Sequence, residues 1–309
     1  MDQEQIELLA TVEPAVAMLL AEHQERRDHW YAHEYVPWEE GRSYRHEPWD
    51  ESQCTISPEA RTALVVNLLT EDNLPYYHSA IDHELRRYGD DSAFARWNRL
   101  WTAEEGQHAI ALRSYLLTTR NCDPAELEDD RMATMTAGFL RRARTPADIF
   151  IYTTLQELAT RVSHRNAGKY ADDPVAFEIM SRIAVDENHH FLFYRGVVTA
   201  MLEVAPSLIM QSMYDQMSNF EMPGTGIPKF RRRAVTIAKA GVYDLRIHHD
   251  RVVKPVLRDW QIDKLEGLTP EAAAYQEKIL ALPLLLDQRA DILDRRMARG
   301  RSGRATTGA

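Results

Sequence analysis

Twice in this chain a Glu and a His stand three residues apart, each time behind a second acid. Residues 101–112 read "WTAEEGQHAIAL" and residues 183–194 read "IAVDENHHFLFY". On an α-helix, positions i and i+3 share a face, so Glu105 and His108 point the same way, as do Glu187 and His190. The spacing alone is weak evidence. With 12 His in 309 residues, chance gives about one Glu-x-x-His, and two helix-surface pairs would satisfy it.

The surroundings narrow the choice. About thirty residues before each motif lies another helical stretch with an acid of its own: Glu71 in "LLTEDNLPYY" and Glu157 in "YTTLQELATRVSH". One antiparallel helix pair brings each lone Glu level with its Glu-x-x-His. Two such pairs make a four-helix bundle with four carboxylates and two imidazoles turned inward. That is the ligand pattern of a dinuclear iron or manganese centre. Four carboxylates balance two divalent cations. Buried without metal they would repel one another and be driven towards protonation. Glu104 and Asp186, the acids preceding each motif, suit the outer ring of such a site. We expect Asp186 to take the ring N–H of His108 and Glu104 that of His190. Plain surface charge is the other reading of these two. His189 diverges from His190 by about 100° on a helix and is expected to face elsewhere. Tyr194 is expected in the core.

The rest of the chain agrees with an all-α fold. Only 13 Gly and 14 Pro occur, 44% of the residues are hydrophobic, and apolar positions recur at helical spacing. The pattern predicts helices over 3–29, 58–88, 91–119, 124–142, 146–171, 174–204, 206–221, 228–240, 243–261 and 270–297. Five starts pair a capping residue with Pro: Ser57-Pro58, Asp123-Pro124, Thr145-Pro146, Asp173-Pro174 and Thr269-Pro270. Residues 30–56 lack periodicity and read as an ordered loop. No Gly/Ser linker divides the chain. The expected organisation is one helical domain over 1–296 and a disordered basic tail over 297–309.

Other function classes fit poorly. A net charge of −10 argues against general nucleic-acid binding. No run approaches the roughly 18 apolar residues of a membrane span. The only two cysteines, Cys54 and Cys122, have no metal-knuckle spacing and read as free thiols, so a cytoplasmic protein is expected. No phosphate-cradling Gly loop and no Ser/His/Asp arrangement is present.

Several stretches together resemble the soluble acyl-acyl-carrier-protein desaturases, the stearoyl type of plants and their actinobacterial relatives. They are "TEDNLP", "WTAEEGQH", "QELATRVSHRN" and "DENHH", with weaker echoes in "HWYAHEYVPW", "AGVYD" and "WQIDKLEGLTPEA". They run in the family's order from about residue 28 to 290. The resemblance implies a ferritin-like diiron four-helix bundle with additional helices. It makes Glu71, Glu105, His108, Glu157, Glu187 and His190 the ligands of two iron ions, the same six chosen by spacing. It places Thr160 on the oxygen-binding side, where its hydroxyl can supply a proton, and puts Trp30 on an electron route with His108 and Asp186. It implies desaturation of a fatty acyl chain on acyl-carrier protein, a ferredoxin-type electron donor and a homodimer. The chain departs from plant members at Asn188 and His189, and in a shorter span between Glu71 and Glu105.

A ribonucleotide reductase small subunit shares the ligand pattern, but its radical Tyr is expected at position 112, which is Leu. A ferritin would leave the C-terminal half unexplained. A diiron relative that hydroxylates or oxidises a carrier-bound substrate remains the alternative. An acidic carrier protein calls for a local basic patch. The candidates are Lys229, Arg231, Arg232 and Arg233, or Arg141, Arg142 and Arg144, and a solvated helix face accounts for either equally well.

Overall fold

The computed structural model describes residues 3–85, 88–139, 143–224 and 226–305. Among these the secondary structure is helical throughout. The helices are α1 (Gln3–Arg26), α2 (Pro58–Glu71), α3 (Leu74–Leu85), α4 (Ala93–Thr118), α5 (Pro124–Ala137) and α6 (Pro146–Ala171). They continue with α7 (Pro174–Val204), α8 (Pro206–Ser218), α9 (Phe230–Lys239), α10 (Leu245–His248), α11 (Lys254–Asp259) and α12 (Pro270–Ala305). Each expected Pro start is capped. Ser57, Asp123, Thr145 and Asp173 accept backbone N–H groups of Ala60, Ala125, Asp148 and Ala176. Thr269 accepts from Ala272.

Two expected helices are interrupted, and a proline explains each break. The helix expected over 58–88 divides at Asp72 and Asn73 into α2 and α3. Pro75 has no N–H to give Glu71, and its ring would strike that carbonyl in a continuous helix. Residues 86 and 87 lie outside the described set. The helix expected over 243–261 widens into a π turn at His249–Val253 between α10 and α11. Pro255 imposes the same conflict on Arg251, and the wider turn accommodates it. The last helix runs to Ala305, past the boundary at residue 296 expected from composition, and residues 306–309 lie outside the described set.

Helices α2, α4, α7 and α6 pack in a ring, each against two neighbours. α1 covers α7 and α4, α3 lies on α4, and α8 lies on α6 with α12 outside it. The apolar core is split in two. One cluster joins α1, the first half of α4, most of α6, the second half of α7, and α8. The other joins α2, the second half of α4, the end of α6 and the first half of α7. Each fully buried Leu, Met or Phe contributes roughly 1.5–3 kcal/mol by leaving water. These two cores offset the desolvation of a polar layer between them. Glu71, Glu104, Glu105, His108, Glu157, Asp186, Glu187 and His190 fall in or against that layer.

Residues 30–56 are ordered by hydrogen bonds to the end of α4 and the turn after it. Tyr44 donates to the Leu117 carbonyl at 2.7 Å and Trp49 to that of Arg120 at 3.0 Å. The fully buried Arg120 guanidinium donates back to the Glu47 carbonyl at 2.7 Å. This holds the segment carrying Trp30 against α4 and α7. Among the described residues no helix is long and apolar enough to cross a membrane.

Candidate metal centre

The four ring helices supply the polar layer. α2 brings Glu71 at its last turn; α4 brings Glu104, Glu105 and His108; α6 brings Glu157 and Thr160; α7 brings Asp186, Glu187 and His190. His108, Glu157 and His190 are 0% exposed, and Glu71, Glu105 and Glu187 are buried. Their donor atoms form two groups, each within 4.8 Å: Glu71, Glu105, His108 and Glu187, and Glu105, Glu157, Glu187 and His190. All six residues expected from spacing are therefore brought together. Glu105 and Glu187 belong to both groups.

The atoms at the centre suit a metal. His108 turns Nδ1 inward, 3.3 Å from Glu105 and 3.6 Å from both Glu71 and Glu187. His190 turns Nδ1 inward, 2.8 Å from Glu105 and 3.6 Å from Glu157. Both Nδ1 atoms, Glu105 Oε1 and both Glu157 oxygens nevertheless have no hydrogen-bond partner. Buried polar atoms of native proteins are normally satisfied. Converging lone pairs without hydrogen bonds are the arrangement a cation satisfies, and an oxygen-rich set with two imidazoles suits iron or manganese.

Electrostatics carry the same mark of crowding. Burial, then the nearby Glu187, pushes Glu105 up, and burial with Glu187 and Glu105 pushes Glu157 well above the usual carboxylate range. Burial opposes charge on His108 and His190, but the surrounding carboxylates hold both imidazoles well above their ordinary value. Without a cation the layer balances its charge by retaining protons.

The outer partners cross between helices as expected. His108 Nε2 lies 3.4 Å from Asp186 Oδ2, and His190 Nε2 lies 3.0 Å from Glu104 Oε2. Trp30 donates its indole N–H to the same Asp186 oxygen at 2.6 Å and stacks on the His108 ring, 6.3 Å away. Arg182, one turn before Asp186 on α7, donates to its other oxygen at 2.5 Å. Glu104 is held by His23 at 2.9 Å and Arg27 at 2.5 Å, both from the α1 end of the chain. Although burial opposes it, His190 and His23 keep Glu104, and His108, His190 and Trp30 keep Asp186, below the usual carboxylate range. The Thr160 hydroxyl donates to Glu187 Oε2 at 2.8 Å.

Comparison with known proteins decides the family. The sequence matches the fatty acid desaturase family over residues 4–307. The chain belongs to the fatty acid desaturase family. It is 43% identical over 285 residues to a Mycobacterium tuberculosis protein named as an acyl-acyl-carrier-protein desaturase, DesA1, covering 89% of this chain and 83% of that one. It is 28% identical over 301 residues to the chloroplastic stearoyl-acyl-carrier-protein 9-desaturase of spinach, covering 92% and 75%. The X-ray structure of DesA2 from Mycobacterium tuberculosis H37Rv superposes with a TM-score of 0.68 at 26% identity, over 87% of this chain and 99% of that one. The fold is thus the ferritin-like helical fold of desaturases, which are oxidoreductases.

Some site neighbours were not expected from sequence. His164, 0% exposed, points Nε2 at Glu71 Oε1 (3.1 Å) and Glu187 Oε1 (3.3 Å). Its position seven residues after Glu157, two turns along one face, was the available signal. Arg182 was legible as an i, i+4 partner of Asp186, whereas nothing local links His23 or Arg27 to Glu104. His189 faces away, edge-on to His23. Tyr194 is fully buried against Trp97 and Trp101.

A largely apolar pocket lies between α3, α6 and Trp101 of α4. Tyr77, Ile81, Trp101, Ile149, Tyr152 and Gln156 line it, and its solvent side includes the exposed Ala80. Trp101 stands one turn before Glu105, and Gln156 is the neighbour of Glu157. Of the expected basic patches, Lys229 and Arg233 pair with Glu126 and Asp130 on α5, leaving Arg231 and Arg232 exposed. Arg144 pairs with Asp215 and approaches Asp148 at 3.7 Å, and Arg141 and Arg142 lie outside the described residues.

Proposed function

We propose that this protein introduces a cis double bond into a fatty acyl chain carried on acyl-carrier protein, using molecular oxygen. Glu71, Glu105, His108, Glu157, Glu187 and His190 would hold two iron ions. The observation that carries this reading is the buried set of six donor residues, with unpartnered central atoms, beside an apolar pocket. The names of the relatives support the substrate class.

Side-chain acids and bases cannot break an unactivated C–H bond; bound iron supplies that oxidising power. The protein's own residues do the remaining work. Asp186 and Glu104 accept from the outer nitrogens of His108 and His190, which leaves each Nδ1 free for a metal. Thr160 fixes one oxygen of Glu187 and keeps a hydroxyl proton beside the layer. Trp30, Asp186 and His108 form a continuous line from the 30–56 segment inward, the route for electrons from a ferredoxin-type donor. The acyl chain would enter by the apolar pocket between Tyr77, Ile149 and Tyr152. Arg231 and Arg232 on α9 are the exposed charges offered to the acidic carrier. The same reading takes residues 1–296 as one catalytic domain, acting as a homodimer in the cytoplasm.

The overall change removes two hydrogens from adjacent methylenes. With two further electrons and two protons, oxygen leaves as water. Reduced, iron-loaded protein given acyl-acyl-carrier-protein and oxygen should yield an acyl product lighter by two hydrogens. A product heavier by one oxygen atom would replace this reading with the hydroxylating alternative.

A further inference from the structure

Helix α12 buries one side and leaves the other open. Ala272, Ile279, Leu282 and Ala290 are buried, where the helix packs on α8 and α10. Three of its acids are gathered there too: Asp287, Asp291 and Asp294 share the guanidinium of Arg246 on α10. The opposite side is apolar. Fifteen large apolar side chains stand exposed among the described residues, and five of them fall within fourteen positions of α12. They are Leu280, Leu284, Leu285, Ile292 and Leu293, with Leu284 the most open at 63%. Exposed apolar residues scattered singly need no explanation, but a contiguous patch marks a surface that takes a partner.

We infer that this face takes α12 of a second copy of the chain, packed antiparallel. The charges at its two ends select that occupant. Glu277 and Arg295 stand eighteen residues apart on α12, five whole turns or about 27 Å, so they lie on one line along the helix. Leu284 falls close to that line, and Leu280, Leu285 and Ile292 flank it. Both charged side chains are exposed, and Arg295 approaches Asp291 only at 4.0 Å. A two-fold axis level with residue 286 sets the Glu277 of each copy against the Arg295 of the other, so the pair forms twice, at either end of the shared apolar stretch. A parallel pair would set Glu277 on Glu277 and Arg295 on Arg295. An anionic membrane would attract Arg295 and Arg296 but repel Glu277 and a chain of net charge −10. One helix face is a small interface, so assembly should depend on protein concentration. This inference rests on the homodimer reading proposed above and gives it a face.

The test uses sedimentation velocity of the full-length protein over a range of concentrations. Wild type should pass from monomer to dimer. Glu277→Arg faces Arg295 with a like charge twice and should weaken the dimer about tenfold. Arg295→Glu should do the same, and the two changes together should restore it, since each pair is then reversed but kept. Leu284→Cys combined with Gln288→Cys, on either side of the axis, should give a covalent dimer under mild oxidation. Wild type, whose only cysteines are Cys54 and Cys122, should not. A wild-type dimer indifferent to both charge changes, with no cross-link from the cysteine pair, would reject α12 as the face and leave the homodimer standing. Wild type that stays monomeric throughout would reject both. Monomer that floats with vesicles containing phosphatidylglycerol, and ceases to in Leu284→Asp, would assign the face to a membrane instead.

Discussion

Glu105 and Glu187, on facing helices α4 and α7, are the two carboxylates common to both halves of the buried donor set. Glu71 and Glu157 each belong to one half. The two classes should therefore respond differently to substitution. Glu105→Gln or Glu187→Gln removes a charge shared by both ions, and metal analysis should fall from two ions per chain to close to none. Glu71→Gln or Glu157→Gln should retain one. Unchanged occupancy in Glu105→Gln or Glu187→Gln would reject the ligand assignment.

Trp30 joins the surface segment to the layer through Asp186. Trp30→Phe keeps an aromatic face on His108 and loses the hydrogen bond. Metal content should be unchanged, and turnover with a protein electron donor should fall at least tenfold. A single turnover started by chemical reduction should proceed at the wild-type rate. Equal loss in both assays would place Trp30 in the chemistry rather than in electron delivery.

Ala80 lies on the exposed side of α3 and borders the apolar pocket. Ala80→Trp should therefore obstruct entry without disturbing the core. The expected result is a raised KM or lost turnover for long acyl chains, with iron content and melting temperature close to wild type. Full activity would mean that the acyl chain enters elsewhere.

His248 gives the fold a pH dependence separate from the metal site. It is buried, stacked on Phe220 at 4.7 Å, and its Nδ1 is hydrogen-bonded with the Tyr243 hydroxyl at 2.9 Å. Burial, then the neighbouring His249, lowers it from 6.5 to about 4. The folded state thus keeps this imidazole neutral while the unfolded chain protonates it near pH 6.5. Its contribution is fully present above that pH and is lost as pH falls towards 4, amounting to about 2 kcal/mol by pH 5. Denaturant titrations at pH 7.5 and 5 should show His248→Gln losing less stability on acidification than wild type by roughly that amount. An identical loss would mean that His248 is protonated in the folded protein.

What could be read from the chain alone was what repeats or is local. The two Glu-x-x-His motifs, with a lone Glu about thirty residues before each, identify all six central residues because helical periodicity sets which side chains share a face. The capped prolines mark five helix starts for the same reason. Pro75 and Pro255 were equally local signals, and each explains a break inside a helix expected to be continuous. The ring of partners around the centre was only partly legible. Asp186 and Glu104 sit beside their motifs and were found, and His164 lay on the face of Glu157 but two turns away. His23 and Arg27 meet Glu104 only because α1 folds back on α4 and α7, a contact no spacing encodes.

The most direct test of the account is a single turnover. Protein carrying two irons per chain would be reduced without oxygen, mixed with acyl-carrier proteins bearing chains of graded length, and exposed to oxygen. Mass spectrometry would count alkene formed per chain. The account requires up to one double bond per iron pair on a favoured chain length, and none with Glu105→Gln. Saturated product from fully loaded wild type across all chain lengths, or undiminished alkene from Glu105→Gln, would contradict it.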